Sequence, residues 1–232
     1  VRGITTTEAE LVFIRQRKTF ASTEGSWVTQ EIVESGCGIQ ATAVRDGEVQ
    51  QRSYPNSVGR HQQTRGWEFV TEQDLVGNAA RIAEEAVALL SADPCPEDVT
   101  TLILGGSQVA LQIHESCGHA IELDRVFGAE AGFAGTSFLT PDKLGNFRYG
   151  SEVVNITADA TLPGGLGTFG WDDEGVPAQR VDIVRDGLFV GYLTDRENAR
   201  RLLRLLGPSP YVTGRSNGTA RASGWNRIPM IR

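Results

Sequence analysis

The segment that most constrains the fold is 114–119 (HESCGH), where His114 and His119, two of the chain's three histidines, flank Glu115. Histidines that share a metal on a regular helix stand four residues apart, so that both lie on one face. Here the spacing is five residues, which a helix of 3.6 residues per turn places well apart around its axis. An inserted residue, or π-bulge, brings positions i and i+5 back into line. The spacing therefore predicts a local π-turn, with Gly118 as the residue that accommodates the distortion.

The residue types in this segment are those of a zinc site. Imidazole nitrogens are common zinc ligands, and a carboxylate beside them can accept the proton of a water that the metal activates. We therefore predict that His114 and His119 bind zinc and that Glu115 acts as a general base. The alternative is a pair of core histidines satisfied by hydrogen bonds, which would leave Glu115 buried without a clear partner. Cys117 could be a competing ligand beside His114, or a small residue packed beneath the helix.

These residues resemble the TldD/PmbA family of zinc peptidases, and in particular its TldD branch. That branch carries H-E-x-x-x-H followed by E-x-D, as in His114, Glu115 and His119 with Glu122 and Asp124. The PmbA-like branch usually lacks the histidine pair. We expect Glu122 and Asp124 to support the metal ligands without binding the metal themselves. It continues in order through four further segments: 132–140 (GFAGTSFLT), 157–165 (TADATLPGG), 171–180 (WDDEGVPAQR) and the arginine-rich 214–232.

The resemblance also implies properties that the residues alone do not. Members of the family are about twice as long, and their third metal ligand is a cysteine that would follow Arg232 here. We therefore expect the chain to be a fragment that binds zinc weakly and shows little peptidase activity by itself. Short or unfolded peptides are the implied substrates, and the implied assembly is a homodimer or a heterodimer with a PmbA-like subunit. Cleavage specificity and oligomeric state stay open.

Two other function classes compete with a zinc-dependent peptidase. The first is a non-catalytic subunit or regulatory binding module, since the family is linked to paired subunits and to modulation of DNA gyrase. The second is a protein that binds the metal but is hydrolytically dead. The intact H-E-x-x-x-H favours the enzyme, because a binding module would not need both histidines.

Composition bounds the class of protein further. The chain is 40% hydrophobic and 22% charged, which is ordinary for a soluble globular protein. Its formal net charge of −7 argues against direct binding of nucleic acid, because phosphates favour a basic face. No apolar run reaches the roughly 18 residues of a membrane-spanning helix, and no leader opens the chain. Three isolated cysteines, Cys37, Cys95 and Cys117, fit a reducing compartment, so we expect a cytoplasmic location without membrane attachment.

Hydrophobic patterning predicts an α+β fold in two domains. An N-terminal mixed α/β domain covers 1–92, and a β-rich domain at 98–232 carries the metal-binding helix. In the first domain, 8–44 favours antiparallel strands, Asp46-Gly47 predicts a turn between two strands, and 71–90 has the apolar spacing of an amphipathic helix. The proline-containing stretch 91–97 (SADPCPE) marks the boundary.

In the second domain, local signals predict five elements. They are a buried strand at 99–104, the metal helix at 107–124, a strand at 153–158, a hairpin at 181–193 that turns at Asp186-Gly187, and a helix from Thr194 or Asp195 to Leu206.

Four further features admit more than one interpretation. The glycine-rich segment 128–150 is either an ordered connection whose aromatic residues fill the core or a loop that covers the metal cleft. The acidic triplet 172–174 is either a solvated turn or, as the resemblance suggests, a corner near the site. His61 is expected to be a solvated loop side chain. Four arginines within 214–232 could bind a peptide carboxylate or an acidic partner, or could be solvated: Arg215, Arg221, Arg227 and Arg232.

Overall fold

A computed structural model describes residues 1–57 and 59–218 of the chain. The predicted arginine cluster lies outside the described residues, except for Arg215. The described residues form two compact units, one of 1–16 with 32–109 and the other of 17–31 with the residues from 110 onward. Both units combine helices with antiparallel strands, which agrees with the α+β class. The predicted domain boundary at 91–97 stays a prediction.

Four strands form the sheet that begins the chain. They are β1 (Ile4–Ala21), β2 (Trp27–Arg45), β3 (Glu48–Tyr54) and β4 (His61–Gln63). Their order is β1-β2-β3, and β4 also pairs with β2. Asp46 and Gly47 join β2 to β3 with φ angles of 52° and 87°, as the predicted aspartate–glycine turn requires. His61 begins β4 and pairs with Cys37 of β2, so the prediction that it lies in a loop is wrong, although the residue is exposed as expected.

Two helices follow this sheet, where the sequence predicts one. They are α1 (Trp67–Glu72) and α2 (Leu75–Leu89). The interruption falls at Asp74, whose backbone is left-handed (φ 44°) and whose side chain accepts a hydrogen bond from the Gly77 N–H. An aspartate tolerates that conformation and caps the new helix start, which separates α1 from α2. The apolar face of α2 then packs against alanines of β2 in a small core.

The second unit has a three-stranded antiparallel sheet and a C-terminal helix. Its strands are β5 (Ile156–Asp159), β6 (Arg180–Arg185) and β7 (Leu188–Phe189), in the order β5-β6-β7. Asp186 and Gly187 form the hairpin turn with φ angles of 47° and 76°, which confirms the predicted hairpin. The last helix, Arg196–Leu206, begins where the Asp195 side chain accepts the Asn198 N–H, as predicted.

The predicted buried strand at 99–104 is wrong. These residues have no regular secondary structure, and Val99, Leu102 and Ile103 are 100%, 75% and 97% exposed. A β-branched apolar run becomes a strand only where another strand pairs with it. No strand among the described residues pairs with this segment. The predicted strand at 153–158 is present, but shifted and shortened to β5.

Besides the irregular helical turns at 114–121, the described structure has three other short elements: α3 (Gly106–Ile113), α4 (Leu123–Val126) and a 3₁₀ turn (Pro141–Lys143). The helix Arg196–Leu206 is α5 in this order. None of the helices in the described ranges is both long enough and apolar enough to cross a bilayer.

Candidate metal centre

The histidine segment is a helix that changes its pitch twice. From α3 the chain enters a π-helical turn (His114–Gly118), continues as a 3₁₀ turn (His119–Ile121), and ends in α4. The N–H of His119 donates to the carbonyl of His114, five residues earlier. The predicted π-turn is therefore confirmed, and we call residues 114–121 the histidine turn.

Gly118 is not the residue that permits this turn. Its φ and ψ angles, −52° and −56°, are ordinary for a right-handed helix. A Cβ added there would meet only the Ile113 carbonyl oxygen, at an acceptable 3.7 Å. The prediction that glycine absorbs the distortion is therefore wrong. A π-turn widens the helix through its hydrogen bonding and needs no left-handed residue.

The turn brings both imidazoles together. The ring centroids of His114 and His119 lie 4.3 Å apart with an interplanar angle of 76°. Ligand atoms of these two residues and of Glu115 all lie within 4.8 Å of one another, and no other such group occurs among the described residues. Each histidine side chain is 18% exposed, so the pair is sheltered but open to solvent at one side.

Glu115 is 64% exposed, and its Oε1 lies 3.8 Å from Nε2 of His114. Glu115 is therefore not buried, and the expectation that a pair of core histidines would leave it buried without a partner is wrong. An exposed carboxylate beside two sheltered imidazoles is well placed to exchange protons with a molecule bound there.

Glu122 supports His119 from the interior. Its side chain is 4% exposed, and Oε2 lies 3.1 Å from Nδ1 of His119. A carboxylate here fixes the tautomer with the proton on Nδ1, which leaves the Nε2 lone pair for a ligand. The backbone beside Glu122 is fixed too, because Leu193 accepts from the Leu123 N–H and donates to the Ile121 carbonyl. Asp124 lies in α4 and makes no contact with the histidines in the described structure.

Cys117 faces the core and not the imidazoles. It is 1% exposed and packs in the main hydrophobic cluster of the second unit. Burial raises the pKa of its thiol to about 11, which disfavours the thiolate that metals bind. The packing interpretation therefore holds. Cys37 is buried in the first unit and Cys95 is exposed, and neither belongs to the histidine group.

The aromatic residues of segment 128–150 pack against the core and also line a cleft beside the histidine turn. Phe147 and Tyr149 pack against the core, while Phe138, Phe147 and Tyr149 also line a cleft of about 530 Å³ that reaches Glu115 and His119. Two of its hydroxyls contact the histidine turn: Tyr149 donates to the Ser116 carbonyl at 3.0 Å, and Ser137 to the Ala120 carbonyl at 2.5 Å. No motif in the sequence points to these contacts.

The aromatic side of the cleft is held in place by a lysine. Phe138 and Phe147 meet edge to face at 6.2 Å, and Phe147 meets Tyr149 in the same way at 6.4 Å. Nζ of Lys143 lies 5.5 Å from the Phe138 ring centre and 5.1 Å from that of Phe147. It also donates to the Phe138 carbonyl at 2.6 Å. These contacts give the cleft an ordered apolar wall.

The acidic triplet forms a structural corner, which we call the acidic corner (residues 172–174). Asp172 is 6% exposed, and its Oδ1 accepts the N–H groups of Glu174 and Val176 at 2.9 and 2.8 Å. Asp173 pairs with Lys18, and Glu174 accepts the Arg196 N–H at 2.7 Å. The interpretation as a solvated turn is wrong for Asp172, because its carboxylate replaces water as the acceptor for its own turn. Burial raises the pKa of Asp172 and of Glu174.

Comparison with known proteins adds family evidence to this geometry. A family model described as "PmbA/TldA metallopeptidase C-terminal domain" matches residues 97–232. A metalloprotease of Methanocaldococcus jannaschii is 32% identical over 217 residues, which are 93% of this chain and 42% of that protein. A metalloprotease of Synechocystis is 30% identical over 229 residues, which are 99% of this chain and 44% of that protein. The chain thus spans less than half the length of these relatives.

Solved structures share the fold at lower identity. A proposed modulator of a DNA gyrase from Thermotoga maritima has a TM-score of 0.61 at 20% identity, over 94% of this chain and 45% of that one. TldE from Thermococcus kodakarensis has a TM-score of 0.53 at 18% identity, over 90% of this chain and 41% of that one. Both show similarity of fold alone.

Proposed function

Because the chain belongs to the TldD/PmbA family, we propose that His114 and His119 bind a zinc ion at a centre that hydrolyses peptide bonds. The observation that carries this proposal is the π-turn, which places the two imidazoles 4.3 Å apart despite their spacing of five residues. A regular helix would separate them. A second support is the relatives named as metalloproteases.

The donor set fits zinc. Imidazole nitrogens are typical zinc ligands, and a metal-binding histidine commonly donates its other ring N–H to a carboxylate. Glu122 and Nδ1 of His119 have that relation at 3.1 Å. A catalytic zinc generally takes three protein ligands, of which the described chain offers two imidazoles and, as a candidate, Glu115. The cysteine that the family resemblance implies as third ligand stays a prediction.

Each residue then has a separate task. Zinc, when bound, supplies a Lewis acid that polarises a carbonyl and lowers the pKa of water. Glu115 accepts the proton of the attacking water at its carboxylate and returns it to the leaving amine. His119 keeps its ring orientation through Glu122. The cleft lined by Phe138 and Phe147 gives the side chain of a bound peptide an apolar surface.

The distinguishing experiment replaces Glu115 by Gln in the protein at its native length. This change keeps the shape and removes the base, so zinc content should stay the same while peptide turnover falls by roughly 100-fold or more. Glu174→Gln is the matched control, because among the described residues Glu174 accepts a backbone N–H, and a glutamine oxygen can do the same. Unchanged turnover in Glu115→Gln would assign the base elsewhere. Loss of zinc would make Glu115 a ligand.

The expected assembly belongs to the same proposal. We place the protein in the cytoplasm, acting on short or unfolded peptides as a homodimer or together with a PmbA-like subunit. This expected pairing rests on membership of the TldD/PmbA family. Co-expression with a PmbA-like protein, followed by mass measurement of the purified complex, tests the pairing.

A non-catalytic binding module is the second candidate, favoured by the fold shared with the proposed gyrase modulator. It predicts that zinc loading and Glu115→Gln leave the protein's binding activity unchanged and that no peptide is cleaved. Zinc-dependent cleavage lost in Glu115→Gln excludes it.

A further inference from the structure

Two hydroxyl groups from a distant segment hold the backbone of the histidine turn. Tyr149 donates to the carbonyl of Ser116, inside the π-turn, and Ser137 donates to the carbonyl of Ala120, in the 3₁₀ turn. The two acceptors lie on either side of His119 in the chain. The donors lie 33 and 17 residues away from them in sequence. We call these two contacts the hydroxyl clamp.

The clamp acts where the helix most needs support. Between Ser116 and Ala120 the backbone changes from π to 3₁₀ geometry, so the regular bonding between residues four apart is interrupted. π-turns are rare, and a local distortion of this kind persists only where its surroundings hold it. A hydroxyl donor on each side of the change can provide that support, because each one fixes the direction of a carbonyl.

Both donors are themselves fixed by the core. The Ser137 hydroxyl also accepts the N–H of Leu139, which is fully buried in the main hydrophobic cluster. The Tyr149 ring packs against Phe147 and its hydroxyl also interacts with the Cys117 thiol. Burial raises the pKa of Tyr149 to about 12, so its hydroxyl keeps its proton at neutral pH. The clamp therefore connects the histidine turn to an already ordered interior.

We propose that Tyr149 and Ser137 are positioning residues that keep the His119 ring facing the His114 ring. The two hydroxyls act on the proposed metal site through the His119 ring and do not contact the metal themselves. The functional consequence rests on the proposed zinc site, whereas the clamp itself belongs to the metal-free chain. If the hydroxyls were merely structural, their loss would lower stability and leave zinc affinity unchanged.

The test compares two tyrosines that each lose a hydrogen bond to a backbone carbonyl. Tyr149→Phe removes a bond to the histidine turn, and Tyr192→Phe removes one to Leu139. Zinc affinity is measured in the native-length protein by competition with a chelator. We expect Tyr149→Phe to weaken zinc binding about tenfold, in the range found for outer-shell partners. The zinc affinity of Tyr192→Phe should stay within about twofold of the wild-type value, even if the melting temperature of this variant falls. Equal zinc affinities in the two variants would overturn the proposal.

A serine pair keeps the test decisive if Tyr149→Phe folds poorly. Ser137→Ala removes the second hydroxyl and should weaken zinc binding by several-fold, whereas Ser137→Thr keeps a hydroxyl and should restore most of the affinity. An equal loss in both serine variants would mean that side-chain packing, and not the hydrogen bond, supports the turn.

Hydrogen exchange separates the clamp from the zinc proposal. In metal-free protein, the amides of residues 114–121 should exchange faster in Tyr149→Phe than in Tyr192→Phe. If the wild type binds no zinc, the proposed zinc function fails, but this comparison still decides whether the clamp exists. Equal exchange at 114–121 in both variants would overturn it.

Discussion

The histidine turn and the acidic corner both place carboxylates in short, irregular segments, but they use them differently. In the corner, Asp172 is buried and accepts two N–H groups of its own turn. In the histidine turn, Glu115 is exposed at a cleft, while Glu122, directly after the turn, is buried against His119. A buried, satisfied carboxylate stabilises a fold, and an exposed one beside sheltered imidazoles is available for proton transfer. The sequence shows that both regions carry carboxylates, and only the contacts show which of these carboxylates are buried and which are exposed.

The largest difference between the histidine turn and the acidic corner should appear in the zinc content of variants in each. His114→Ala in the native-length protein removes one of two imidazole ligands, so stoichiometric zinc should be lost after dialysis. Asp172→Ala should keep its zinc, because the corner offers no group of metal ligands in the described structure. Elemental analysis of both variants measures this. Equal zinc in His114→Ala and in the wild type would contradict the assignment.

The next effect concerns the support of His119. Glu122→Gln replaces the carboxyl partner of Nδ1 by an amide, which should weaken zinc binding by roughly tenfold. Asp124→Asn is the control, since Asp124 has no described contact with the histidines, and its zinc affinity should not change. Chelator competition gives both constants. If Asp124→Asn lowers the zinc affinity more than Glu122→Gln does, Asp124 and not Glu122 supports the metal ligands.

In the acidic corner the expected change is in stability. Asp172→Ala leaves the N–H groups of Glu174 and Val176 without their acceptor, which should lower the free energy of unfolding by about 1–3 kcal/mol. Asp172→Asn keeps an acceptor oxygen and should cost much less. Denaturant unfolding at neutral pH compares them. An equal loss in both variants would show that the charge, and not the acceptor, matters.

The smallest expected effect is a pH dependence of the same corner. The pKa of Asp172 is raised by burial, so folding favours its protonated form. That contribution to stability is complete below the pKa of the unfolded chain and is lost as the pH rises through the folded pKa. Asp172→Asn should therefore gain stability relative to the wild type between acid and neutral pH. If Asp172→Asn instead loses stability relative to the wild type over this pH range, the hydrogen bonds to the carboxylate outweigh its burial.

Much of this architecture is predictable because its signals are local. Residues 46–47 and 186–187 carry aspartate–glycine turns, and Asp195 caps a helix, as expected from short sequence patterns. The π-turn is predictable too, because a spacing of five residues between paired histidines leaves few alternatives. Each of these features depends on residues that are close in sequence.

The remaining features depend on contacts that no local pattern encodes. The run 99–104 has the composition of a strand, but a strand also needs a partner. Tyr149 and Ser137 reach the histidine turn from a segment rich in glycines and aromatic residues, whose sequence does not predict these contacts. The exposure of Glu115 likewise follows from the path of the cleft and not from its neighbours in sequence.

The most direct measurement is diffraction from crystals of the zinc-loaded, native-length protein at the zinc absorption edge. If His114 and His119 bind zinc as proposed, one strong anomalous peak should lie within about 2.1 Å of a ring nitrogen of each, which is the usual zinc–imidazole distance. Nδ1 of His119 should also stay paired with Glu122. A peak at Cys37 or Cys95, or no peak between the two imidazoles, would contradict the account.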